Sequence, residues 1–535
     1  MNRAHPLLER VLAPTDHHTL RNAWGSNDHD GHGTQMAGLA AYGDLVAVLQ
    51  HNQPVVLNHR LESVKILDPN GPTDPSLWGA LTVEAMGRAE VAAPNRRRAF
   101  CLAVGSRETR DQGMPSSWSA ALDTLASGAE DGHKRLIVVA AGNVPANAFT
   151  NYPASNETEV VHDPAQAWNA LTVGALADRD TIREPSYRGW RPIAPINDIS
   201  PSSSTSVAFK RGWPLKPEIV MPGGNAAVDP AGTEVAFVPD LQLLSTSRNV
   251  VGSIYAPSGE TSAAAALASR LGAQIEARYP SLWPEAVRAL IVHSAEWTSP
   301  MQERHPGQSK AAVEQRLRTY GFGVPNGEVA LASASNVATL VTQQAIQPFK
   351  RKADGTPGSN VMHLHALPLP VHVLRRLREA EVELRVTLSY FIEPAGARQG
   401  FTKRHRYSSF ALRFDLQTPT ENESQFTKRV NAAALAEDEK PETASDSSDW
   451  LLGKNLRSLG SLHSDRWRGS AVDLAARRHL AVYPAGGWWR ERVKLERLEK
   501  ETRYALVVSI LAKSLDVDIY TEISSQISIP ISIEP

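Results

Sequence analysis

The sequence predicts a doubly wound, mostly parallel α/β domain over residues 1–335, followed by a β-sandwich or jelly-roll-like domain over residues 336–535. With 535 residues, the chain is longer than one hydrophobic core normally accommodates, so two domains of unequal size are expected. Helical and strand patterns alternate in the first part, whereas short apolar runs separated by turns follow one another in the second.

The overall composition excludes several classes of partner. Lys and Arg number 56 against 57 Asp and Glu, so the net charge of -1 creates no field that would hold the chain on nucleic acid or an anionic membrane. No apolar run is long enough for a membrane span, and the first residues lack the apolar core of a signal peptide. The single cysteine, Cys101, allows no internal disulfide. We therefore expect a cytoplasmic protein that binds neither nucleic acid nor membrane.

The elements of the first domain follow from hydrophobic periodicity. Residues 81–91 and 118–129 predict helices, and residues 99–104 predict a strand. The β-branched run that begins at Arg135 predicts a buried parallel strand, and Ala-Ala-Gly-Asn follows it at residues 140–143. Open α/β sheets place ligands beyond the carboxyl ends of their strands, so Asn143 is expected over a binding site. Its amide could donate to a developing oxyanion, or it could be an ordinary turn residue.

The most informative stretch is Ser-Gly-Glu-Thr-Ser, residues 258–262, followed by an alanine-rich helical run. It predicts Ser262 in the first turn of a long helix, where unpaired backbone N–H groups and the helix dipole stabilise negative charge. The alternative from this stretch alone is a plain helix start. A second stretch, Asp-Gly-His-Gly-Thr at residues 30–34, places His32 at the mouth of a small-residue helix.

Taken in order, His32, Asn143 and Ser262 with their flanking residues resemble the motifs of the subtilisin-like (subtilase) serine peptidases. The resemblance implies a subtilisin-like fold over the first domain. It also implies an endopeptidase in which Ser262 forms an acyl-enzyme and His32 acts as general base. Asn143 and the backbone N–H of Ser262 would bind the oxyanion. Neither a cofactor nor a metal is expected, because no Walker A loop or metal-ligand spacing is present.

Two departures from the family pattern bear on activity. In the family the catalytic Asp lies in a turn shortly before a His-Pro pair, which His5 and Pro6 resemble, so this turn and its strand are expected before Met1. The aspartates that precede His32 in this chain are Asp16, Asp28 and Asp30. Asp28 and Asp30 are expected to be turn residues, or polar residues that support the motif from outside, and not the catalytic acid. Glu260 replaces a glycine of the serine motif. The alternative hypothesis is therefore a catalytically impaired, peptide-binding relative, and Ser258 is the second choice of nucleophile.

The resemblance also implies two walls of a substrate cleft. Val104 and Gly105 belong to the edge segment that would pair with an extended protein or peptide substrate, as in β-augmentation. Ala140, Ala141 and Gly142 form the opposite wall. The side-chain preference of the cleft and the oligomeric state stay open.

The second domain is expected to contain several strands and one flexible segment. Alternating apolar runs predict strands at 361–367, 382–391, 410–416, 504–510 and 517–523. Residues 418–449 are polar and predict a flexible loop. Within this region, residues 461–489 resemble part of the C-terminal β domain of a branch of large intracellular bacterial subtilases.

Overall fold

A computed structural model describes residues 1–51, 53–107, 111–332, 339–396, 404–439, 449–511 and 531–533. The chain divides into two compact units. The first unit comprises Met1–Ser281, Ala295–Gly307 and Gln315–Asn326, and the second comprises Leu282–Ser294, Gln308–Glu314 and Gly327–Pro535. The domain boundary at residue 335 stays a prediction, and three parts of the second unit begin before it, at Leu282, Gln308 and Gly327.

The α-helices of the described residues are α1 His32–Tyr42, α2 Leu45–Gln50, α3 Trp78–Ala92, α4 Ser117–Ser127, α5 Ala154–Thr158, α6 Glu260–Arg278, α7 Pro284–His293, α8 Ser299–Arg304, α9 Lys310–Tyr320, α10 Gly327–Ala332, α11 Val371–Leu377, α12 Arg404–Tyr407, α13 Glu423–Glu439, α14 Gly453–Arg457, α15 Ala471–Ala476 and α16 Trp488–Glu491. Within the described ranges, none of these helices combines the length and apolar character needed to cross a membrane.

The strands are β1 His17–Thr19, β2 Ser63–Lys65, β3 Ala99–Leu102, β4 Leu136–Ala140, β5 Leu171–Ala177, β6 Arg191–Pro192, β7 Asp198–Ile199, β8 Ile219–Pro222, β9 Ala227–Val228, β10 Val235–Ala236, β11 Leu243–Thr246, β12 Tyr255–Ser258, β13 Ala295–Glu296, β14 Val324–Pro325, β15 Thr339–Ile346, β16 Phe349–Arg351, β17 Pro357–Ser359, β18 Met362–Ala366, β19 Glu381–Tyr390, β20 Ala411–Leu416, β21 Leu462–Ser470, β22 His479–Ala485, β23 Thr502–Leu511 and β24 Ile531–Ile533.

The central sheet of the first unit is mostly parallel. Strands β3, β4, β5 and β8 run parallel in that order, and β7 pairs antiparallel with the end of β5. Every residue of β4 and β5 is buried, as the apolar run after Arg135 predicts for strands covered on both faces. The mostly parallel α/β architecture expected from the sequence is therefore present in this unit.

Helices cover the central sheet and position its carboxyl edge. Trp118 and Leu122 of α4 pack with Leu102, Ile137 and Val139 in one hydrophobic cluster. Helix α6 contacts β3, β4, β5 and β8. A second cluster joins Met36 and Leu39 of α1 to Ala263 and Ala266 of α6, with Ala103 packed against it. The starts of α1 and α6 are therefore held together next to the end of β3.

The first residues of the chain lie beside the start of α1. The backbone N–H of Asn2 donates to Thr34 Oγ1 at 2.9 Å, and the Met1 carbonyl lies 3.0 Å from His17 Nε2. Strand β1 pairs in parallel with β2. Among the described strands, β2 has no second partner and β3 pairs with β4 alone, so β1 and β2 form a sheet of their own.

The second unit contains two four-stranded antiparallel sheets. One has the order β15, β23, β19, β21, and the other has the order β20, β22, β18, β24. The Tyr504 hydroxyl of the first sheet lies 2.7 Å from His363 Nδ1 and 2.8 Å from His365 Nε2 of the second. Burial lowers the pKa of His363 to about 4 and that of His365 to about 3. Both rings are therefore neutral at physiological pH.

Most strands predicted for the second domain are found, within one or two residues of the expected ends. The strand predicted at 517–523 lies outside the described residues. A sandwich or jelly-roll arrangement of the two sheets stays a prediction.

The flexible loop predicted at 418–449 is wrong over Glu423–Glu439, which form helix α13. Phe426, Val430 and Ala434 recur every four residues and pack against Met362 and Tyr483. The polar residues between them lower the average hydrophobicity, but the apolar face still suffices to anchor a helix on the sheet. The part of the predicted loop at 440–448 lies outside the described residues.

The close approach of α1 to β11 depends on Gly38. A Cβ at Gly38 would lie 2.3 Å from Ser245 Oγ and 2.8 Å from the Thr246 backbone N. We predict that Gly38→Ala lowers the free energy of unfolding by about 1–3 kcal/mol, because the helix must move away from the strand. Thermal and urea unfolding followed by circular dichroism measure the change.

Gly87 in α3 provides the matched control, because a Cβ there would meet nothing within 4 Å. Gly87→Ala should raise stability by up to about 1 kcal/mol through helix propensity alone. Equal effects of the two substitutions would contradict the tight packing of α1 on β11.

Candidate active site

Ser262 lies in the first turn of α6, directly before the buried Ala263. Its Oγ donates a hydrogen bond to the carbonyl oxygen of Ala103 at 3.3 Å. Ala103 follows β3, so the hydroxyl lies against the edge segment predicted to bind substrate. Ser258, the second choice of nucleophile, is buried, and its Oγ has no hydrogen-bond partner among the described residues. Ser262 is the accessible serine of the two.

Asn143 is tied to the start of α6 through Thr261. The Asn143 Oδ1 accepts hydrogen bonds from the Thr261 backbone N–H at 3.2 Å and from Thr261 Oγ1 at 2.6 Å. Two donors fix this oxygen, so the amide orientation is determined by the network. The Asn143 Nδ2 makes no hydrogen bond with any described residue and is left as a donor beside Ser262.

His32 is the first residue of α1, and Gly31 before it has φ 103°, which a non-glycine residue would adopt only with strain. The ring is exposed to solvent, yet protein atoms surround it closely enough for desolvation to lower its pKa below the usual 6.5. The charges of Asp28 and Asp30 act against that shift. This combination is typical of a group in a recess, and it keeps the imidazole neutral at physiological pH.

The aspartates before His32 have structural roles or lie at the surface. Asp28 accepts hydrogen bonds from the backbone N–H groups of Asp30, Gly31 and Thr34 and from Thr34 Oγ1. Asp16 forms an ion pair with Arg96 at 2.8 Å. Asp30 is exposed. In the described part of the chain, the His32 ring makes no hydrogen bond to a carboxylate or to Ser262.

Glu260 is the most unusual residue near Ser262. Its φ of 64° lies in the left-handed region, at a cost of about 1 kcal/mol for a non-glycine residue, and its N–H donates to Gly223 O at 2.7 Å. Burial raises the pKa of its carboxyl above the ordinary value. Among the described residues this carboxyl has no hydrogen-bond or ion-pair partner. A strained backbone and a half-buried carboxyl without a partner among the described residues, next to a candidate nucleophile, make Glu260 a candidate for a functional role.

The two predicted walls differ in their free backbone groups. Val104 and Gly105 make no backbone hydrogen bonds within the described residues, whereas the next residue, Ser106, pairs with Asp163 in an antiparallel bridge. The edge segment therefore offers unpaired main-chain groups at two consecutive residues. An extended peptide could pair with them as an added strand.

In the opposite wall, the backbone hydrogen-bonding groups of Ala141 and Gly142 are already paired within the protein. Ala140 belongs to β4 and is buried. Ala141 donates to Val173 O at 2.9 Å and accepts from His162 N at 2.8 Å, while Gly142 donates to Thr261 Oγ1 at 3.2 Å and accepts from Ser204 N at 3.1 Å. Residues 140–142 can therefore limit the width of the cleft but cannot add main-chain pairing.

The contacts bring Ser262, Asn143, Gly142 and Ala103 together through Thr261 and the Ser262 hydroxyl. His32 belongs to the same packed helix pair but makes no hydrogen bond to them. Two residues beside this cluster were not predicted from the sequence: Thr261, whose hydroxyl joins the end of β4 to α6, and His162, whose ring packs on Gly142. Thr261 could have been found from its place beside Ser262, whereas no motif marks His162.

The first unit is an α/β structure with a mostly parallel sheet covered by helices. Beyond the carboxyl ends of its strands, an asparagine amide lies beside a serine in the first turn of a helix. This arrangement defines a candidate acyl-transfer site. The model of the subtilase family matches residues 1–323, which is more than half of the chain. The chain therefore belongs to the subtilase family, whose members are serine peptidases.

Three individual proteins were found to be similar. Uncharacterized protein y4bN of Sinorhizobium fredii (strain NBRC 101917 / NGR234) is 27% identical over 312 residues, which cover 55% of this chain and 66% of that protein. A lanthipeptide protease structure has 19% identity and a TM-score of 0.39, covering 62% of this chain and 84% of its own. The epidermin leader peptide processing serine protease EpiP of Staphylococcus aureus has 17% identity and a TM-score of 0.37, covering 62% and 73%.

The hydrogen bonds to Asp28 predict a pH-dependent contribution to stability. Burial acts to raise the pKa of this carboxyl, but hydrogen bonds from Thr34 and Gly31 outweigh it and lower the pKa. A lowered folded pKa means that the contribution is present above the unfolded value of about 3.9 and is lost as the pH falls through the lower folded value. Asp28→Ala should therefore cost about 1–2 kcal/mol at pH 7, and less below about pH 4.

Urea unfolding of the wild type and Asp28→Ala between pH 3 and 7 measures this dependence. Asp30→Ala is the control, because Asp30 is exposed and accepts no side-chain hydrogen bond from the described residues. A difference for Asp28→Ala that stays constant with pH would show that the carboxylate does not stabilise the start of α1.

Proposed function

We propose that this chain is a serine endopeptidase that cleaves extended peptides through an acyl-enzyme on Ser262. The observation that carries the proposal is the link from Asn143 Oδ1 through Thr261 to the start of α6. This link holds an uncharged N–H donor beside a serine hydroxyl at a helix N-terminus. Both features stabilise negative charge on an oxygen that develops next to Ser262.

In the proposed reaction, Ser262 Oγ attacks the carbonyl carbon of the scissile peptide bond and His32 accepts the hydroxyl proton. The carbonyl oxygen becomes an oxyanion that accepts hydrogen bonds from Asn143 Nδ2 and the Ser262 backbone N–H. The intermediate collapses as the C–N bond breaks, and His32 returns the proton to the leaving amine. Water then attacks the acyl-enzyme with the same proton transfers in reverse order and releases the second product.

The shift in the His32 pKa fits the role of base. Because desolvation holds the pKa below 6.5, the ring is ready to accept a proton at neutral pH. The Ser262 hydroxyl must leave its bond to Ala103 O to reach the ring, a modest rearrangement since that bond is 3.3 Å long. Apo sites often tighten in this way when substrate binds.

The alternative function is peptide binding without turnover. Two observations favour it: the described residues place no carboxylate on the His32 ring, and Glu260 introduces a half-buried acid beside the proposed oxyanion site. The unpaired backbone groups of Val104 and Gly105 serve binding equally well. The two functions differ in whether Ser262 is a reactive nucleophile, which can be measured directly.

The test of the proposal is labelling with a fluorophosphonate probe, which modifies activated serines. We expect saturable labelling that is lost in Ser262→Ala and retained in Ser258→Ala, the matched control with a buried hydroxyl. Asn143→Ala should slow labelling by about 10²-fold to 10³-fold, the magnitude known for loss of such a donor in subtilisin. Labelling that is no faster than that of free serine would exclude the peptidase and leave the binding function.

The carboxyl of Glu260 should oppose the oxyanion once it ionises. Because burial raises its pKa, the wild type should label more slowly than Glu260→Gln by about fivefold at pH 8, and this difference should shrink as the pH falls and the carboxyl becomes protonated. Glu276→Gln is the control, since Glu276 is also in α6 with a pKa raised by burial, but lies about 24 Å further along the helix. A labelling ratio between wild type and Glu260→Gln that does not change with pH would show that Glu260 plays no part in the chemistry.

A further inference from the structure

The floor between the two walls of the cleft is a single short segment of the chain. His162 N donates to Ala141 O at 2.8 Å, which attaches the segment to one wall. Asp163 N donates to Ser106 O at 2.9 Å and its carbonyl accepts from Ser106 N at 2.8 Å, which attaches it to the other. Residues 162 and 163 therefore span the cleft from wall to wall.

The side chain of His162 fills the space above this floor. A Cβ at Gly142 would lie 2.1 Å from the His162 Cγ and 2.5 Å from its Nδ1, so the ring packs directly against the glycine. A Cβ at Gly105 on the opposite wall would lie 3.5 Å from the His162 Cβ. His162 is only 8% exposed. The volume that a substrate side chain would enter between Gly105 and Gly142 is thus partly occupied by an imidazole.

Two further residues hold the ring in place. His162 Nε2 lies 3.1 Å from Glu159 Oε1. Arg107 donates through Nε to the same oxygen at 2.9 Å and lies 2.6 Å from Oε2 through Nη2. The charge of Glu159 is therefore balanced by Arg107, and the imidazole is held by an acceptor that is itself fixed. A ring fixed at both ends cannot swing away readily to admit a longer side chain.

We propose that His162 determines specificity: it shortens the pocket for the substrate residue whose carbonyl Ser262 attacks, so that this residue must be glycine, alanine or serine. The inference rests on the proposed function for the identity of that residue. The pocket lies next to the attacked carbonyl because Gly142 is bonded to Asn143 and Ala103 accepts from Ser262. Glu159 and Arg107 act as positioning residues for the imidazole.

The test measures equilibrium binding and does not require turnover. Ser262→Ala protein is titrated against fluorescein-labelled hexapeptides of an alanine and threonine background, in which each position in turn carries Ala, Leu or Phe, and binding is followed by anisotropy. At one position, the alanine peptide should bind about tenfold or more tightly than the phenylalanine peptide. Adding His162→Ala should shift this ratio by about tenfold or more toward phenylalanine at that position alone.

Two control variants separate selectivity from general damage. His162→Gln keeps a side chain of similar length that can still bond Glu159, and it should retain the preference for alanine. His133→Ala changes an exposed histidine and should leave every ratio unchanged. Thermal unfolding of each variant checks that it is folded, and the ratio between peptides is an internal measure that a loss of folded protein does not alter.

The inference is overturned if His162→Ala leaves the ratio unchanged, if no position distinguishes alanine from phenylalanine, or if no peptide binds saturably. Failure of the proposed function has a different signature, since the fluorophosphonate probe would then not label Ser262 in the otherwise unchanged chain. Selective binding without labelling would keep His162 as the pocket determinant of a binding protein.

Discussion

The Thr261 hydroxyl is the contact on which the candidate site depends. It donates to Asn143 Oδ1 and accepts from Gly142 N, so one side chain joins the end of β4 to the start of α6. The serine and the amide come from residues more than a hundred positions apart, and a shift of one ångström between them would remove the oxyanion geometry. Hydrogen bonds to a buried hydroxyl fix such a distance better than apolar packing, because their length and direction are both restricted. The α1 helix, which carries His32, adds its own support by packing against Ala263 and Ala266.

Under the proposed function, the two walls of the cleft have different parts in substrate binding. The backbone N–H and carbonyl groups of residues 141 and 142 already form hydrogen bonds within the protein, so this wall would not pair with the main chain of a substrate. Within the part of the chain that the structure describes, Val104 and Gly105 form no backbone hydrogen bonds, so we expect sequence-independent binding of a peptide at that edge. In our proposal, the selection of substrate side chains then depends on His162, which lies between the two walls. Main-chain pairing would let the site bind peptides of many sequences. The His162 side chain between the walls would then restrict binding to peptides with a small residue at that position.

Helices and strands that are specified by the hydrophobic pattern of a short stretch of residues could be predicted from the sequence. A β-branched run such as that of β4 predicts a buried strand, and a small-residue run after Ser262 predicts the long helix α6. The sheet geometry predicted Asn143 over a binding site, and the resemblance to the subtilase motifs predicted Asn143 and Ser262 for the same site. Asp28 was expected to be a turn residue, and its bonds to the start of α1 agree with that.

Features that depend on three-dimensional neighbours could not be predicted. His162 is a lone histidine in a loop, and only the path of the chain back across both walls gives it a role. Helix α13 was not predicted because Phe426, Val430 and Ala434 are spread among charged residues. The helix depends on the packing of these three side chains against the sheet, which a local stretch of sequence does not reveal. The left-handed backbone of Glu260 was also not expected, because the residue type argues against it.

The measurement that tests the central claim most directly is a crystal structure of the chain with a peptidyl boronic acid whose residue next to boron is alanine. The account predicts a covalent bond from Ser262 Oγ to boron and a boronate oxygen within about 3 Å of Asn143 Nδ2. It also predicts main-chain pairing of the peptide with Val104 and Gly105, and the alanine side chain above His162. A boronate bound elsewhere, or bonded to Ser262 with its oxygens turned away from Asn143, would contradict the account.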